Sequence, residues 1–248
     1  MRNLLLTLRF CGTNYHGFQV QKNAHTVCAE FQNALGKIFG PRPDVKGCSR
    51  TDAGVHANEY AISFRIEHAI SCDRLVTALN AALPPDIAVT SAREVPEDFH
   101  ARYSCRAKRY VYKIWNSRVK DPFSPNLSYR MGYPLDVDML AREARDFVGT
   151  YDFAAFCSAK SDVEDTVRTI HSFEAERQGD LVLFAVTGDG FLYNMVRIMV
   201  GTLVFIACGK REPGCIPGIL ASKDRRLAGK TMPAGGLFLD KVFYKEFE

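Results

Sequence analysis

The segment Cys48-Ser-Arg-Thr-Asp-Ala-Gly-Val-His-Ala57 concentrates polar and flexible residues between two extended stretches. It precedes the alternating run Tyr60–Phe64, which is typical of a strand. Arg50 could keep the carboxylate of Asp52 ionised, and Gly54 allows the backbone to turn where a side chain would clash. The same residues also fit an ordinary turn with a surface ion pair. This segment alone therefore leaves both interpretations open.

Length and composition are ordinary for a soluble globular protein. The chain has 248 residues, which is enough for one large domain or two smaller ones. No apolar run approaches the roughly 20 residues that span a bilayer. The N-terminal cluster Leu4–Leu6 is interrupted by Arg9 and lacks a cleavage-site pattern, so it predicts a strand and not a signal peptide. We expect a cytoplasmic protein that does not enter a membrane.

The eight cysteines do not form a metal-binding pattern. None are spaced as Cys-x-x-Cys, and none stand near a histidine at a zinc-like spacing. An even count is compatible with disulfides, but without a secretion signal it favours reduced thiols in the core. Cys48, in the loop described above, is more typical of a small buried hydrophobe than of a nucleophile. We expect no metal site.

Positive charge is concentrated in the first half of the chain. Residues 1–124 carry a net charge of +6 and residues 125–248 carry −2. The segment 99–120 contains seven cations, five aromatic residues and no acid. Cations interleaved with aromatic rings suit a phosphate backbone with stacked, unpaired bases, although a strand with a solvated charged face gives the same pattern. The predicted RNA-binding residues are Arg102, Arg106, Lys108 and Arg109.

Apolar periodicity predicts strands interleaved with helices. Thr26 is a candidate N-cap for a helix at 27–39, in which one apolar stripe contains Val27, Phe31, Leu35 and Ile38. The other predicted helices are 72–83 after Ser71, 137–148 after Asp136, 191–207 and 213–220. The predicted strands are 3–11, 18–21, 60–65, 87–95, 109–115, 168–176, 180–187 and 237–247. Gln178-Gly179 should join the strands at 168–176 and 180–187 as a hairpin.

Arg197 lies inside the strongly apolar helix predicted at 191–207, flanked by Val196 and Ile198. An isolated buried cation is costly, so this guanidinium must either be paired or take part in the chemistry. It could also lie on one polar edge of the helix.

Several separate stretches carry the same resemblance. They are Asn14–Gln19, Ser49–His56, Asp98–Arg102, Lys108–Tyr112, Gly190–Leu203 and Ala234–Leu239. In this order and together, they resemble the TruA family of tRNA pseudouridine synthases. The chain departs from the pattern at Ser49, where glycine is common, and at Ile198, where asparagine is common. A serine at position 49 is expected to make the loop stiffer than a glycine would. How Arg50, the next residue, moves therefore stays an open question.

The resemblance and the element pattern imply an α+β fold. Two similar αβ halves should form a continuous mixed, mostly antiparallel sheet with helices on one face and an active-site cleft between the halves. We expect an N-terminal domain at 1–105, carrying the Asp52 loop, and a C-terminal domain at 106–248.

The resemblance also implies the site residues. Asp52 matches the essential aspartate, and Arg50 matches the arginine that displaces and replaces the flipped base. Tyr110 matches the tyrosine that packs on that base, Arg197 the buried arginine that pairs with the aspartate, and Leu237 part of the apolar pocket lining. The implied substrates are uridines at positions 38 to 40 of the tRNA anticodon arm. The implied enzyme is a homodimer that needs no cofactor or metal.

Two other interpretations remain at this point. The chain could be a structured-RNA-binding protein without chemistry, which would leave Arg50, Asp52 and Arg197 unexplained. It could also be an acid–base hydrolase that uses Asp52 with Asp98 or a histidine, His56 or His100. Such an enzyme normally needs two carboxylates that converge on one site.

Overall fold

The computed structural model describes residues 1–40, 42–158 and 164–245. The chain forms two compact units. The first contains residues 1–106 together with the segment from Phe238 onward, and the second contains residues 107–237. The C-terminal segment thus belongs to the first unit, whereas the domain division expected from the sequence assigns it to the second.

The first unit contains a mixed sheet. Its strands are β1 (Arg2–Phe10), β2 (Lys46–Gly47), β3 (His56–Ile66), β4 (Ile87–Val95) and β10 (Leu237–Phe243). They lie in the order β4-β1-β3-β10, with β2 paired to β3. β1 runs antiparallel to both β3 and β4, while β10 is parallel to β3 and pairs Phe238 with His56. This parallel pair brings the last strand of the chain next to the strand that follows the Asp52 loop.

Two helices accompany this sheet, α1 (Val27–Phe39) and α2 (Cys72–Ala82). The Thr26 hydroxyl accepts a hydrogen bond from the Ala29 amide at 3.4 Å, as expected of an N-cap. α1 buries Val27, Phe31 and Leu35 along one stripe. The predicted bounds and cap of α1 are therefore confirmed.

The second unit contains the other strands and three helices. Its strands are β5 (Ala107–Trp115), β6 (Tyr129–Arg130), β7 (Gly149–Asp152), β8 (Val167–Gln178) and β9 (Leu181–Gly188). They lie in the order β5-β9-β8-β7, all antiparallel, and β6 adds to β5 in parallel. The predicted hairpin is confirmed: β8 and β9 are joined by a tight turn in which Gly179 has a φ of +60°.

The helices of the second unit are α3 (Val137–Ala144), α4 (Met195–Ala207) and α5 (Ile216–Ser222). Asp136 caps α3 by accepting from the Met139 amide at 2.9 Å. α4 is buried along most of its length, as its apolar sequence predicts. It begins at Met195 and not at Phe191, because Asn194 adopts a left-handed conformation with a φ of 61°.

The α+β class is confirmed by these elements. The strand predicted at 18–21 is wrong, since this segment makes only an isolated bridge between Gln21 and Ala24. Within the described residues, no helix is long and apolar enough to cross a membrane.

Candidate active site

The loop between β2 and β3 carries Arg50 and Asp52. Arg50 is exposed, and Asp52 is half-buried. The Val55 amide donates to the Asp52 carbonyl oxygen at 3.2 Å and closes a four-residue turn. Gly54 occupies the third position of this turn with a φ of +79°, which few other residues adopt without strain. The turn thereby fixes the direction in which the backbone presents Asp52.

The segment Gly12–Phe18 packs against this loop through backbone atoms. The Gly54 amide donates to the Tyr15 carbonyl oxygen at 3.1 Å. A Cβ atom at Gly17 would overlap the Thr51 carbonyl oxygen, and one at Gly12 would overlap the Val55 carbonyl oxygen. These two glycines therefore permit an approach that any side chain would prevent.

The side chain of Tyr15 is itself anchored. Its hydroxyl donates to a carboxylate oxygen of Asp86 at 2.5 Å, and its ring packs against His25 with 4.7 Å between centroids. Burial, followed by the hydrogen bond to Asp86, raises the pKa of Tyr15 above its ordinary value. Tyr15 is thus fixed both at its backbone carbonyl, which accepts from Gly54, and at its side chain, which contacts Asp86 and His25.

His56 follows the loop directly and is fully buried. Its Nδ1 accepts from the Gly12 amide at 2.9 Å, and its ring stacks on Phe238 with 4.6 Å between centroids. These contacts give His56 a structural role, in which it holds the loop against Gly12 and Phe238. They leave the hydrolase alternative without support from His56.

His100 is engaged in a similar way. Its Nδ1 accepts from the Arg102 amide at 3.0 Å, and its ring packs against Tyr103 with 4.4 Å between centroids. Burial, and then the charges of Lys46 and Arg102, lower the pKa of His100. One imidazole nitrogen is therefore committed to its own loop.

In the second unit, Tyr110 lies on β5 with only 6% of its surface exposed. Its ring meets Phe191 edge-on, with 5.1 Å between centroids and 81° between planes. Tyr112 and Ile114, two and four residues further along the strand and on the same face, are also buried. The packing of Phe191 fixes the plane of the Tyr110 ring.

Arg197 is half-buried in the first turn of α4. Its Nε donates to the Met232 carbonyl oxygen at 2.6 Å, and its Nη1 donates to Asn194 Oδ1 at 2.5 Å. Asn194 in turn donates from Nδ2 to the Ser158 hydroxyl at 2.9 Å. Two neutral acceptors therefore orient the guanidinium without themselves neutralising its charge.

Leu237 is buried and follows a 3₁₀ turn at Ala234–Gly236. A Cβ atom at Gly236 would lie 2.6 Å from Cζ of Tyr112, whose hydroxyl donates to the Pro233 carbonyl oxygen at 2.8 Å. Burial raises the pKa of Tyr112, and the charge of Arg197 opposes that rise. Tyr112, Arg197 and Leu237 are thus all organised around the segment 232–237.

The predicted RNA-binding cations are divided between the two units. Arg102 and Arg106 are exposed in the first unit, and the guanidinium of Arg102 lies 5.9 Å from the ring centroid of Tyr103. Lys108 and Arg109 are half-buried near the start of β5 in the second unit. Their contact with RNA remains a prediction.

Comparison with known proteins identifies the family. A sequence model described as tRNA pseudouridine synthase matches residues 7–104 and 144–245. The chain belongs to the tRNA pseudouridine synthase family. It is 45% identical to tRNA pseudouridine synthase A of Acetivibrio thermocellus over 98% of this chain and 100% of that protein. The protein of the same name from Halalkalibacterium halodurans is 44% identical over 96% and 90% of the two chains.

Membership in this family makes the chain an isomerase and confirms the resemblance found in the sequence. A chain in the crystal structure of the archaeal box H/ACA sRNP Nop10–Cbf5 complex covers 83% of this one at 12% identity, with a TM-score of 0.40. The match covers 43% of that longer chain, and a structural similarity this low does not identify a family. The assignment to the pseudouridine synthase family rests on the sequence relatives.

The family model covers some of the predicted site residues and not others. Arg50, Asp52, Arg197 and Leu237 lie inside the two matched stretches, whereas Tyr110 lies between them. Within the first unit, Arg50 and Asp52 share one loop. The predicted pairing of Asp52 with Arg197 stays a prediction.

Sequence reasoning missed the residues that support the site. Tyr15 and Gly17 lie in a stretch whose resemblance was noted without a role. The signal that could have found them is the presence of glycines at 12, 17 and 54, since close backbone approach favours glycine. Across the described ranges, no three His, Cys, Asp or Glu side chains are arranged to hold a metal ion.

Proposed function

We propose that this protein isomerises uridine to pseudouridine at positions 38 to 40 of the tRNA anticodon arm, with Asp52 as the catalytic residue. One observation carries the proposal. Asp52 is half-buried on a backbone-locked loop in a chain 45% identical to a tRNA pseudouridine synthase A over nearly its full length.

The reaction needs no co-reactant. The N1–C1′ glycosidic bond breaks, the uracil turns, and a C5–C1′ bond forms. A proton leaves C5 and a proton is taken up at N1, so atoms and electrons balance without a cofactor. The target base must first leave its stack, which costs unstacking energy.

Asp52 supplies the carboxylate for this chemistry. It would attack either C1′ or C6, and the two routes remain open. Arg50, exposed two residues before it, is suited to enter the space that the flipped base vacates. A planar guanidinium can both stack on bases and bind phosphate, which a lysine at this position would do less well.

Tyr110 would contact the flipped uracil. Its ring is suited to stack on the base because the edge contact with Phe191 holds its plane. Its hydroxyl would orient or exchange the proton at C5, a role typical of a general acid or base. Leu237 would add an apolar wall that keeps water from the detached base.

Arg197 would keep Asp52 ionised. The hydrogen bonds from Nε to Met232 and from Nη1 to Asn194 support this role, because they fix the guanidinium plane before substrate arrives. A cation near a half-buried carboxylate favours its charged form.

We further propose that Arg102, Arg106, Lys108 and Arg109 contact tRNA phosphates, that the enzyme acts as a homodimer, and that it works in the cytoplasm. The exposure of Arg102 and Arg106 supports the first of these. The apolar and charged composition of the chain is compatible with the last.

Tritium release from tRNA transcripts labelled at C5 of uridine tests this proposal. The purified protein should release tritium without added metal or cofactor, and Asp52→Ala should release none while binding tRNA as tightly as the unsubstituted protein. Tight tRNA binding without tritium release by the unsubstituted protein would instead favour a non-catalytic RNA-binding protein. Release by Asp52→Ala would remove Asp52 from its catalytic role.

A further inference from the structure

Exposed aromatic and basic side chains occur together beyond the end of β5. We define the aromatic–basic surface as residues 118–123 and 130–133. Phe123 is 92% exposed and Tyr133 is 76% exposed. Arg118, Lys120 and Arg130 are exposed in the same two segments. Exposed rings that are grouped together and rimmed by polar residues often mark a binding surface, whereas singly exposed ones are common.

The two segments are fixed side by side. β6 pairs with the end of β5, with Trp115 opposite Arg130. Asn116 donates from Nδ2 to the carbonyl oxygens of Met131 at 3.0 Å and Tyr133 at 2.6 Å. Arg130 donates from Nη1 to the Arg118 carbonyl oxygen at 2.9 Å. The strand pairing and these hydrogen bonds therefore hold the two segments in a fixed arrangement.

The surface is strongly cationic. Within the part of the chain that the structure describes, Arg118, Lys120 and Arg130 form no ion pair. The only acid between residues 118 and 133 is Asp121, whose Oδ1 accepts from the Phe123 amide at 3.0 Å. That contact shapes the turn which presents the Phe123 ring.

The surface adjoins the residues proposed to hold the flipped base. Trp115 lies five residues after Tyr110 on β5, or about 17 Å along the strand. A Cβ atom at Gly235 would lie 2.8 Å from the Asn126 carbonyl oxygen, so the loop after Phe123 packs on the turn that leads into Leu237. An RNA strand held at Tyr110 could reach the surface within a few nucleotides.

We propose that the aromatic–basic surface binds unpaired nucleotides of the RNA substrate a few residues away from the target uridine. Phe123 and Tyr133 stack on bases, and Arg118, Lys120 and Arg130 neutralise phosphates. This inference rests on the proposed function. The surface falls between the two stretches that the family model matches, so that match assigns it no role.

Charge favours RNA over a second copy of this chain as the occupant. In a twofold-symmetric dimer the same patch meets itself, which would bring two sets of three cations together. A polyanion meets those cations with opposite charge instead.

Fluorescence anisotropy with a labelled tRNA transcript tests the stacking role. Phe123→Ala and Tyr133→Ala should each raise the Kd by about fivefold or more, the lower end of what one stacked base contributes. The dependence of log Kd on log salt should stay unchanged in both variants. Phe123→Tyr, which keeps an aromatic ring, should bind with the Kd of the unsubstituted protein. Tyr151→Ala, a half-exposed tyrosine on β7, is the matched control and should leave the Kd unchanged.

The cations are tested by salt dependence. Arg118→Gln combined with Lys120→Gln should reduce the slope of log Kd against log salt by about 1.4, or 0.7 for each lost phosphate contact on a single strand. Lys37→Gln with Arg74→Gln, exposed on α1 and α2, is the charge-matched control and should leave the slope unchanged. Thermal melting should confirm that all variants fold.

The outcomes separate this inference from the proposed function. Unchanged Kd and slope in both sets of variants, with normal tritium release, would overturn the inference alone. Conversion of a dimer to a monomer by Phe123→Ala in sedimentation would also overturn it, because the surface would then be a subunit interface. Weakened RNA binding in these variants of a protein that releases no tritium would support the surface and reject the proposed function.

Discussion

The loop of Asp52 and the helix start of Arg197 hold their charged side chains in different ways. Asp52 is positioned by its backbone: Gly54 donates to the Tyr15 carbonyl, and Gly17 allows contact with the Thr51 carbonyl. Arg197 is positioned by its own guanidinium, which donates to Met232 and Asn194. A short carboxylate reaches only as far as its backbone places it, whereas a long side chain loses more rotamer freedom when its tip is fixed.

This difference predicts different sensitivities. The Asp52 loop should be disrupted by changes in residues that never touch substrate, provided that they alter backbone packing. The Arg197 site should be disrupted chiefly by changes to the guanidinium or its acceptors.

Tyr110→Phe should slow the single-turnover rate of pseudouridine formation by about 10²-fold or more, the usual contribution of a general acid or base. The ring and its contact with Phe191 should remain, so tRNA binding should not change. Quenched-flow tritium release measures the rate. An unchanged rate would reject a role for the Tyr110 hydroxyl in proton transfer.

Gly17→Ala should lower the same rate by about 10²-fold, because the added Cβ must displace the Thr51 carbonyl and with it Asp52. Gly40→Ala is the matched control. Gly40 has a φ of +83°, against +82° at Gly17, but nothing lies within 4 Å of the added Cβ. Both variants should lose about 1 to 2 kcal/mol of stability through backbone strain, and Gly17→Ala more.

Equal rates in these two glycine variants would show that backbone packing does not position Asp52. The free energy of unfolding in urea provides the second readout. It separates the local strain that both variants share from the displacement expected only in Gly17→Ala.

Arg197→Lys should reduce the rate by about tenfold, roughly 1.4 kcal/mol of transition-state stabilisation. The positive charge is kept, but an ammonium cannot make the two fixed hydrogen bonds of the guanidinium. Asn194→Ala should have a smaller effect in the same direction. Steady-state kcat measured at saturating tRNA tests both, and a change confined to KM would assign Arg197 to binding alone.

Tyr15→Phe should have the smallest effect on rate, since the Tyr15 carbonyl and not its hydroxyl supports Gly54. The lost hydrogen bond to Asp86 should cost about 1 kcal/mol of stability at pH 7. The pKa of Tyr15 is raised on folding, so its contribution is present below about pH 10 and declines as pH rises further. Urea unfolding at pH 7 and pH 10.5 should show a smaller alkaline loss in Tyr15→Phe than in the unsubstituted protein.

Much of the fold follows from local sequence. α1 is bounded by Thr26 and by Gly40 with its positive φ, and both signals are local. α4 begins four residues later than its apolar run predicts, because Asn194 takes a left-handed conformation that hydrophobicity cannot reveal. The two-residue strand β6 was missed because it is defined only by its pairing with β5.

The site follows from sequence only in part. Motif resemblance singles out Asp52 and Arg197, but their supports lie far along the chain. Gly17 meets Thr51 across 34 positions and Arg197 meets Met232 across 35, and no local pattern encodes such contacts. The assignment of Phe238 to the first unit depends likewise on its long-range pairing with His56.

The most direct test of the central claim is to map pseudouridine in tRNA transcripts treated with the purified protein. The transcripts would carry cytidine in place of uridine at positions 38, 39 and 40, singly and together. The account predicts pseudouridine at one or more of these positions, its loss when that uridine is replaced, and none with Asp52→Ala. Pseudouridine formed only outside the anticodon arm, or none in any transcript, would contradict it.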